Sequence, residues 1–193
     1  RIKMNKLAER LKKTSTVKET SLLASTKFFS DKDNIATAVP ALNIALSGSL
    51  KNGFSSGLGQ FCGPSKHFKS SFMLLLVSAF LKKYKDGVVL FYDTEFGSPP
   101  AYFKSFKIDL DRVIHTPITN IEKLKFDIMA QLDELTRDDK IMVIIDSIGN
   151  IASAKEVQDA LDGKSAADMT RAKQLKSLFR MVTPILTMKD IPM

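Results

Sequence analysis

The stretch Gly63-Pro64-Ser65-Lys66-His67-Phe68-Lys69-Ser70-Ser71 follows a short apolar segment, residues 58–62, and precedes a long apolar-rich one, residues 70–84. The first segment predicts a strand, and the second predicts a helix that is buried against a sheet. A loop between a strand and a helix can present successive backbone N–H groups to an anion at the positive end of the helix dipole. The stretch therefore predicts a phosphate-binding loop, in which residues 63–71 line the phosphates of a nucleotide.

Individual positions of this loop predict individual roles. Lys69 would contact the β- and γ-phosphates, the Ser70 hydroxyl would ligate Mg²⁺, and Ser71 would lie near the α-phosphate. Phe68 stands where this motif usually has its second glycine, and a bulky residue with positive φ costs about 1–2 kcal/mol. The length of the loop, its Lys-Ser ending and both flanking elements favour the motif, although a turn that happens to contain a lysine is the alternative.

Two carboxylates follow predicted strands beside this loop. Asp146 comes directly after the apolar run of residues 141–145, at the position where a P-loop protein holds Mg²⁺ through its water shell. A carboxylate that only caps the next turn is the alternative. Glu95 follows the apolar run of residues 88–92 and would orient and deprotonate an attacking water, unless it is simply a solvated loop residue. The two histidines and the single cysteine lie too far apart in sequence to indicate a zinc site.

The remaining pattern alternates between strands and helices. Strands are predicted at residues 88–92, 112–116 and 141–145. Thr119 and Glu122 predict a capping box for one helix, and a last helix is predicted over residues 167–182, before Pro184, which would end it. This alternation predicts an α/β fold with a mostly parallel sheet flanked by helices.

The composition is that of an ordinary soluble globular protein, with 44% hydrophobic and 26% charged residues in a chain of 193. The formal net charge is +8, and the first 30 residues hold eight cations against two acids. We predict a basic helix and linker over residues 1–38 and a core over residues 39–193. A basic arm suits nucleic acid or an acidic partner, and a solvated helix face is the alternative. Phe28 and Phe29 would pack either on a partner subunit or on their own domain.

Cysteine usage and hydropathy bound the location of the protein. Cys62 is the only cysteine, so no intrachain disulfide forms, and a reducing, cytoplasmic compartment is indicated. Its apolar neighbours predict a small buried side chain. No apolar run approaches the roughly 18 residues that a membrane span needs.

Four motifs, in this order along the chain, resemble those of RecA-like recombinases. They are Gly63–Ser71, Asp93-Thr94-Glu95, Pro99-Pro100-Ala101-Tyr102 and Ile144-Ile145-Asp146-Ser147. Most of the chain from about residue 22 is similar to members of that family from T4-type phages, including the stretches 43–48, 112–117 and 168–173. The resemblance implies a RecA-like P-loop NTPase core that binds ATP and Mg²⁺. It also implies that Lys69 and Glu95 are catalytic and that Tyr102 stacks on adenine.

The resemblance further implies a DNA-dependent ATPase that self-associates into a helical filament on single-stranded DNA and promotes homologous pairing and strand exchange. Mediator proteins and single-strand-binding proteins would be its partners, and the host cytoplasm its location if a phage encodes it. The first DNA-binding loop of the family corresponds to residues 153–168. Arg171 matches a position that faces DNA, while Lys155, Lys164 and Lys173 are assigned to DNA by location. Without the resemblance, this mixed-charge stretch reads as a solvated loop.

Two other functions remain open at this point. A hexameric helicase of the same superfamily would form rings rather than filaments, and a nucleotide-binding fragment would bind ATP without turnover. The resemblance also implies a further core strand beyond Met193. We therefore expect the core to be incomplete at its C-terminal side, with the strand before Asp146 at or near an open edge of the sheet.

Overall fold

The structure is a computed structural model that describes residues 5–26, 32–164 and 169–193. The chain divides into two compact units, Arg1–Lys32 and Asp33–Met193. In the first unit, helix α1 spans Lys6–Thr14, and the Asn5 side chain caps it by accepting a hydrogen bond from Leu7 N at 2.9 Å. None of its residues is buried, and a 3₁₀ turn follows at Leu23–Ser25. Phe28 and Phe29, for which we predicted a docking role, lie outside the described residues.

The second unit is built on a parallel sheet of three strands, in the order β2-β1-β3. The strands are β1 (Val88–Asp93), β2 (Val113–Pro117) and β3 (Ile141–Asp146). The helices are α2 (Pro40–Ser47), α3 (Lys69–Lys83), α4 (Pro100–Ser105), α5 (Ile121–Glu134), α6 (Ala154–Leu161) and α7 (Thr170–Lys189). The predicted α/β fold with a parallel sheet is confirmed. Asp93 and Asp146 are paired in register, so both carboxylates lie at the carboxyl edge of the sheet.

Alternate residues of the central strand enter two separate hydrophobic clusters. Val89 and Phe91 pack on the side that carries α3, whereas Leu90 and Tyr92 pack on the side that carries α5 and α7. The strand is therefore buried on both faces, as its continuous apolar run predicts. The result is a helix–sheet–helix arrangement that holds the ends of the strands rigidly in place.

The compact unit begins at Asp33, ahead of Val39, where we predicted the core to start. Ile35 pairs with Phe54 through two backbone hydrogen bonds of 2.8 and 3.1 Å, and its side chain is buried. Asp33 accepts hydrogen bonds from the side chains of Lys83 and Tyr84 at the end of α3. Part of the predicted linker therefore packs on the core.

The free side of β3 is partly paired rather than open. Val143 N donates to Pro192 O at 2.9 Å, and Gly57 in turn exchanges backbone hydrogen bonds of 2.9 Å with residues 191 and 193. Residues 191–193 thus lie beside β3, and residues 57–59 lie beyond them. The predicted strand at residues 58–62 is wrong: Gly59 N donates to Met193 O at 2.8 Å, but no ladder forms over these residues. Cys62, which we expected to be buried, is exposed.

Two predicted helix ends are also wrong. Asn120, not Thr119, caps α5 by accepting a hydrogen bond from Lys123 N at 2.9 Å. Glu122 reaches away from that cap and accepts from Ala154 N at 2.8 Å. Pro184 does not end the last helix, which runs on to Lys189, while its predicted start falls outside the described residues. No helix in the described ranges, α7 included, combines the length and apolarity that crossing a membrane requires.

Candidate nucleotide-binding site

The loop at residues 63–68 folds through two left-handed residues before α3 begins. Lys66 has φ 64° and Phe68 has φ 57°, and Phe68 occupies the N-cap position without a capping side chain. The Phe68 side chain is 74% exposed. Phe68 therefore adopts the positive φ that the motif normally gives to glycine. Residues that alternate between right- and left-handed conformations turn successive N–H groups toward one concavity, which suits an anion.

Lys69 is the first residue of α3, and its side chain reaches back over the loop. Its Nζ donates a hydrogen bond to Pro64 O at 2.8 Å. The His67 ring nitrogen Nδ1 lies 2.9 Å from Ser65 O, so His67 also folds onto the loop. The loop thus supplies a carbonyl partner for the ammonium group. A phosphate oxygen at the helix N-terminus would offer the same group a charged acceptor instead.

Ser70 and Asp146 meet across the gap between α3 and β3. Ser70 Oγ donates a hydrogen bond to Asp146 Oδ2 at 2.8 Å. A hydroxyl and a carboxylate are oxygen ligands of the kind that Mg²⁺ prefers, so the pair fits this ion. The described residues contain no cluster of three or more His, Cys, Asp or Glu side chains suited to a metal.

The electrostatics of Asp146 favour a cation. Burial raises the pKa of this carboxyl above its ordinary value, and the neighbouring carboxylates of Glu95 and Asp93 raise it further. The hydrogen bond from Ser70 and the charge of Lys69 act in the opposite direction. An additional positive charge at this position would stabilise the ionised form.

Glu95 lies just beyond β1 and is held from two directions. Asp93 Oδ1 accepts hydrogen bonds from Glu95 N at 3.1 Å and from Phe96 N at 2.7 Å, which fixes the backbone of the turn. Glu95 Oε1 accepts hydrogen bonds from Ser147 Oγ at 2.5 Å and Asn150 Nδ2 at 2.8 Å. In the described part of the chain, no group donates to Oε2. Oε1 of Glu95 is therefore held by two hydrogen bonds, whereas Oε2 can accept a proton.

Tyr102 lies on α4 and reaches the first turn of α3. Its hydroxyl forms a hydrogen bond with Ser71 Oγ, and its half-buried ring contacts the edge of Phe106 at 5.5 Å between centroids. The structure thus brings the two predicted nucleotide contacts Ser71 and Tyr102 together. His115 Nε2 lies 3.0 Å from Asp93 Oδ2, so this histidine helps to hold Asp93, which in turn fixes the backbone at Glu95.

The four residues that we assigned to DNA do not behave alike. Lys155 pairs with Asp159 at 2.5 Å, and Lys164 pairs with Asp162 at 2.9 Å. Arg171 donates three hydrogen bonds to backbone carbonyls of its own chain. These acceptors are Ile151 O at 2.6 Å, Ile148 O at 2.8 Å and Gly149 O at 2.8 Å.

Lys173 differs from these residues because it is exposed, and no partner for it is found in the described ranges. It lies on α7, a helix that contains no acidic residue. Lys173, Lys176 and Arg180 follow one another at helical spacing, are all exposed and have no partner among the described residues. Sequence reasoning singled out only the first of the three.

Two contacts of Glu95 were also missed. Ser147 lies in a quoted motif without an assigned role, and Asn150 has no motif at all. Both follow β3 directly, and in parallel sheets the residues after neighbouring strands meet at one edge. This rule could have indicated that Ser147 and Asn150 lie close to Glu95.

A cavity of about 510 Å³ lies beside β3. Lys69, Ser70 and Asp146 line one part of it, and its remaining walls include Phe54, Met142 and other apolar side chains. Tyr102 is not among its lining residues. The cavity therefore reaches three of the predicted nucleotide and metal contacts but does not extend to Tyr102.

Comparison with known proteins gives two relatives, while no protein-family model matches the chain. The chain is 52% identical over 189 residues to the "Recombination and repair protein" of Enterobacteria phage T4, covering 98% of the chain and 48% of that protein. It is 26% identical over 140 residues to "Protein RecA" of Synechocystis sp., covering 72% of the chain and 37% of that protein. The chain thus spans about half the length of the first relative and about a third of the second. The second similarity is compatible with a RecA-like core.

Proposed function

We propose that this chain is the ATP-binding core of a RecA-like recombination and repair protein, of the UvsX type found in T4-like phages. The observation that carries the proposal is the grouping of Lys69, Ser70, Glu95 and Asp146 at one end of a parallel sheet. The similarity to a T4 protein named for recombination and repair supports this function over that of other P-loop proteins.

Nucleotide binding would use the loop and the first turn of α3. Backbone N–H groups of residues 63 and 65–71 surround the phosphates, and Lys69 exchanges Pro64 O for oxygens of the terminal phosphates. Ser70 and Asp146 would hold Mg²⁺, which neutralises charge that develops on the transferred phosphoryl group. Tyr102 lies beside Ser71 and would contact the base or sugar side of the nucleotide.

Hydrolysis would depend on Glu95 as the general base. Ser147 and Asn150 hold Oε1, which leaves Oε2 to take a proton from the attacking water. A positioned general base contributes about 10²–10⁴-fold to the rate.

DNA phosphates would bind to the exposed lysine and arginine side chains of the molecule. Lys173, Lys176 and Arg180 offer unpaired positive charge along α7, and α1 adds a second basic surface in the first unit. The protein would bind single-stranded DNA, self-associate into a helical filament and exchange strands with help from mediator and single-strand-binding proteins. These steps would take place in the cytoplasm of a host cell.

Titration with a fluorescent ATP analogue and Mg²⁺ tests the nucleotide site. Lys69→Ala should weaken binding by about 10–100-fold, since hydrogen bonds to charged groups contribute about 1.5–3 kcal/mol. The control is Lys82→Ala, which removes an exposed lysine at the other end of the same helix. Equal affinity of the two variants would contradict the phosphate-binding role of the loop.

The recombination function needs a separate experiment on the protein that carries this chain. Electron microscopy with single-stranded DNA and ATP should show helical filaments, and homologous duplex DNA should then form joint molecules. Rings that unwind duplex DNA would identify a helicase instead. Nucleotide binding without any hydrolysis would identify a binding module.

A further inference from the structure

The connection between β3 and α6 carries a residue that holds Glu95. Asn150 lies in this connection, and its Nδ2 donates to Glu95 Oε1 at 2.8 Å. Both side chains are exposed, so burial does not fix their geometry. The position of the Asn150 side chain therefore depends on the contacts that hold the backbone around Asn150.

Arg171 fixes that backbone. Its guanidinium donates to the carbonyls of Ile148, Gly149 and Ile151, which are the residues on either side of Asn150. A guanidinium presents its N–H groups in a rigid planar fork, so three acceptors at once define both the distance and the orientation of the loop. Arg171 belongs to the first turn of α7, so the position of this helix and the position of Asn150 are linked.

We infer that Arg171 and Asn150 are positioning residues for Glu95. The order of contacts is α7, Arg171, the loop at residues 148–151, Asn150 and Glu95. A displacement at the start of α7 would reach the general base along these contacts. The inference rests on the proposed role of Glu95 in hydrolysis.

Steady-state ATP hydrolysis at saturating single-stranded DNA measures the effect without interference from DNA affinity. Asn150→Ala should lower kcat by roughly tenfold with little change in KM, which is the size expected for one hydrogen bond to a charged group. Arg171→Gln should lower kcat at least as much, and Arg171→Lys should recover only part of it, because an ammonium cannot span three carbonyls. Gln131→Ala, which removes an exposed amide from α5, is the control.

A double-mutant cycle separates positioning from general destabilisation. If both residues act through Glu95, adding Asn150→Ala or Arg171→Gln to Glu95→Gln should lower the remaining rate of ATP hydrolysis by less than about twofold. Hydrogen exchange provides a readout that needs no turnover. The segment 147–152 should exchange faster in Arg171→Gln than in the parent, because the loop opens more often.

The outcomes are distinguishable from failure of the proposed function. If Glu95→Gln hydrolyses ATP at the parental rate, Glu95 is not the base, and both proposals fall. If Glu95→Gln is slow but the other two variants keep the parental rate, hydrolyse faster, or add their full effect to Glu95→Gln, only the positioning inference is overturned. Unchanged hydrogen exchange in Arg171→Gln, together with a loss of DNA affinity, would return Arg171 to the DNA surface.

Discussion

Replacing Phe68 with glycine should stabilise the protein, although it removes a large aromatic side chain. Phe68 has φ 57°, a conformation that costs a residue with a Cβ about 1–2 kcal/mol. Its side chain is 74% exposed, so its removal uncovers little apolar surface. Glycine adopts this φ without strain and is also preferred over large apolar residues at an N-cap.

The expected gain is the relieved strain minus the greater conformational freedom of glycine in the unfolded chain. With about 1–2 kcal/mol of strain and about 0.5–1 kcal/mol for that freedom, a net of about 0.5–1 kcal/mol remains. For a chain of 150–250 residues, each kcal/mol corresponds to roughly 2–4 °C in Tm. Phe68→Gly should therefore melt about 1–4 °C above the parent.

Thermal denaturation followed by circular dichroism provides the assay, with Phe68→Ala as the matched control. Alanine removes the same aromatic ring but keeps a Cβ at positive φ, so the strain remains. We expect Phe68→Ala to melt at or below the parent and Phe68→Gly to melt above both. A glycine variant that melts no higher than the alanine variant would refute the reasoning, since it would show that φ at this position carries no strain.

Two further predictions concern charge. Burial and neighbouring carboxylates raise the pKa of Asp146, so the folded protein loses stability as pH rises through that value. The Tm of Asp146→Asn should therefore lie above that of the parent at neutral pH, and the two Tm values should converge near pH 4, which thermal melts across pH check. Asp146→Asn should also bind Mg²⁺-nucleotide more weakly than the parent, which nucleotide titration checks. On single-stranded DNA, Lys173→Ala and Arg180→Ala should each flatten the slope of log K against log salt by about 0.7 in fluorescence anisotropy. Lys155→Ala should change it little, because its ammonium already pairs with Asp159.

Much of the fold was predictable because two of its strands, β1 and β3, are buried on both faces. A continuous apolar run such as residues 141–145 has few stable alternatives to a strand that is covered on both faces, and the acid that follows it must lie at the carboxyl edge of the sheet. The grouping of Ser70 with Asp146 follows from the same topology. These features depend on local pattern and general rules of connection, so one sequence is enough to indicate them.

The helix around Pro184 was mispredicted because a long-range gain exceeds a local cost. Proline within a helix removes a hydrogen bond and costs about 3 kcal/mol or more. Continuing the helix through Pro184 buries Leu186 completely, in line with Leu178 and Val182 on the same face. Leu186 and Ile191, two fully buried side chains beyond Pro184, contribute about 1.5–3 kcal/mol each and about 3–6 kcal/mol together, and residues 191–193 also pair beside β3. Local helix propensity does not include the free energy gained by burying side chains that follow Pro184.

The capping of α5 was off by one residue for a related reason. Thr119 and Glu122 have the spacing of a capping box, but the Glu122 carboxylate instead accepts a hydrogen bond from Ala154 N, in the segment after β3. Asn120 then caps the helix by itself. A tertiary contact that no window of sequence includes decides between two local arrangements of similar energy.

Arg171 shows that a cation in a region predicted to bind DNA can also donate to backbone carbonyls of its own chain. A cation next to a loop predicted to bind DNA is expected to face phosphate, yet the carbonyls of Ile148, Gly149 and Ile151 also require donors when the chain folds over them. An arginine can satisfy all three, whereas the nearby Lys173 has no acceptor among the described residues and stays exposed. The distinction depends on which backbone carbonyls the fold leaves unpaired. Exposed cations without partners are therefore the better candidates for the DNA surface, and a paired one is the better candidate for holding the active site in shape.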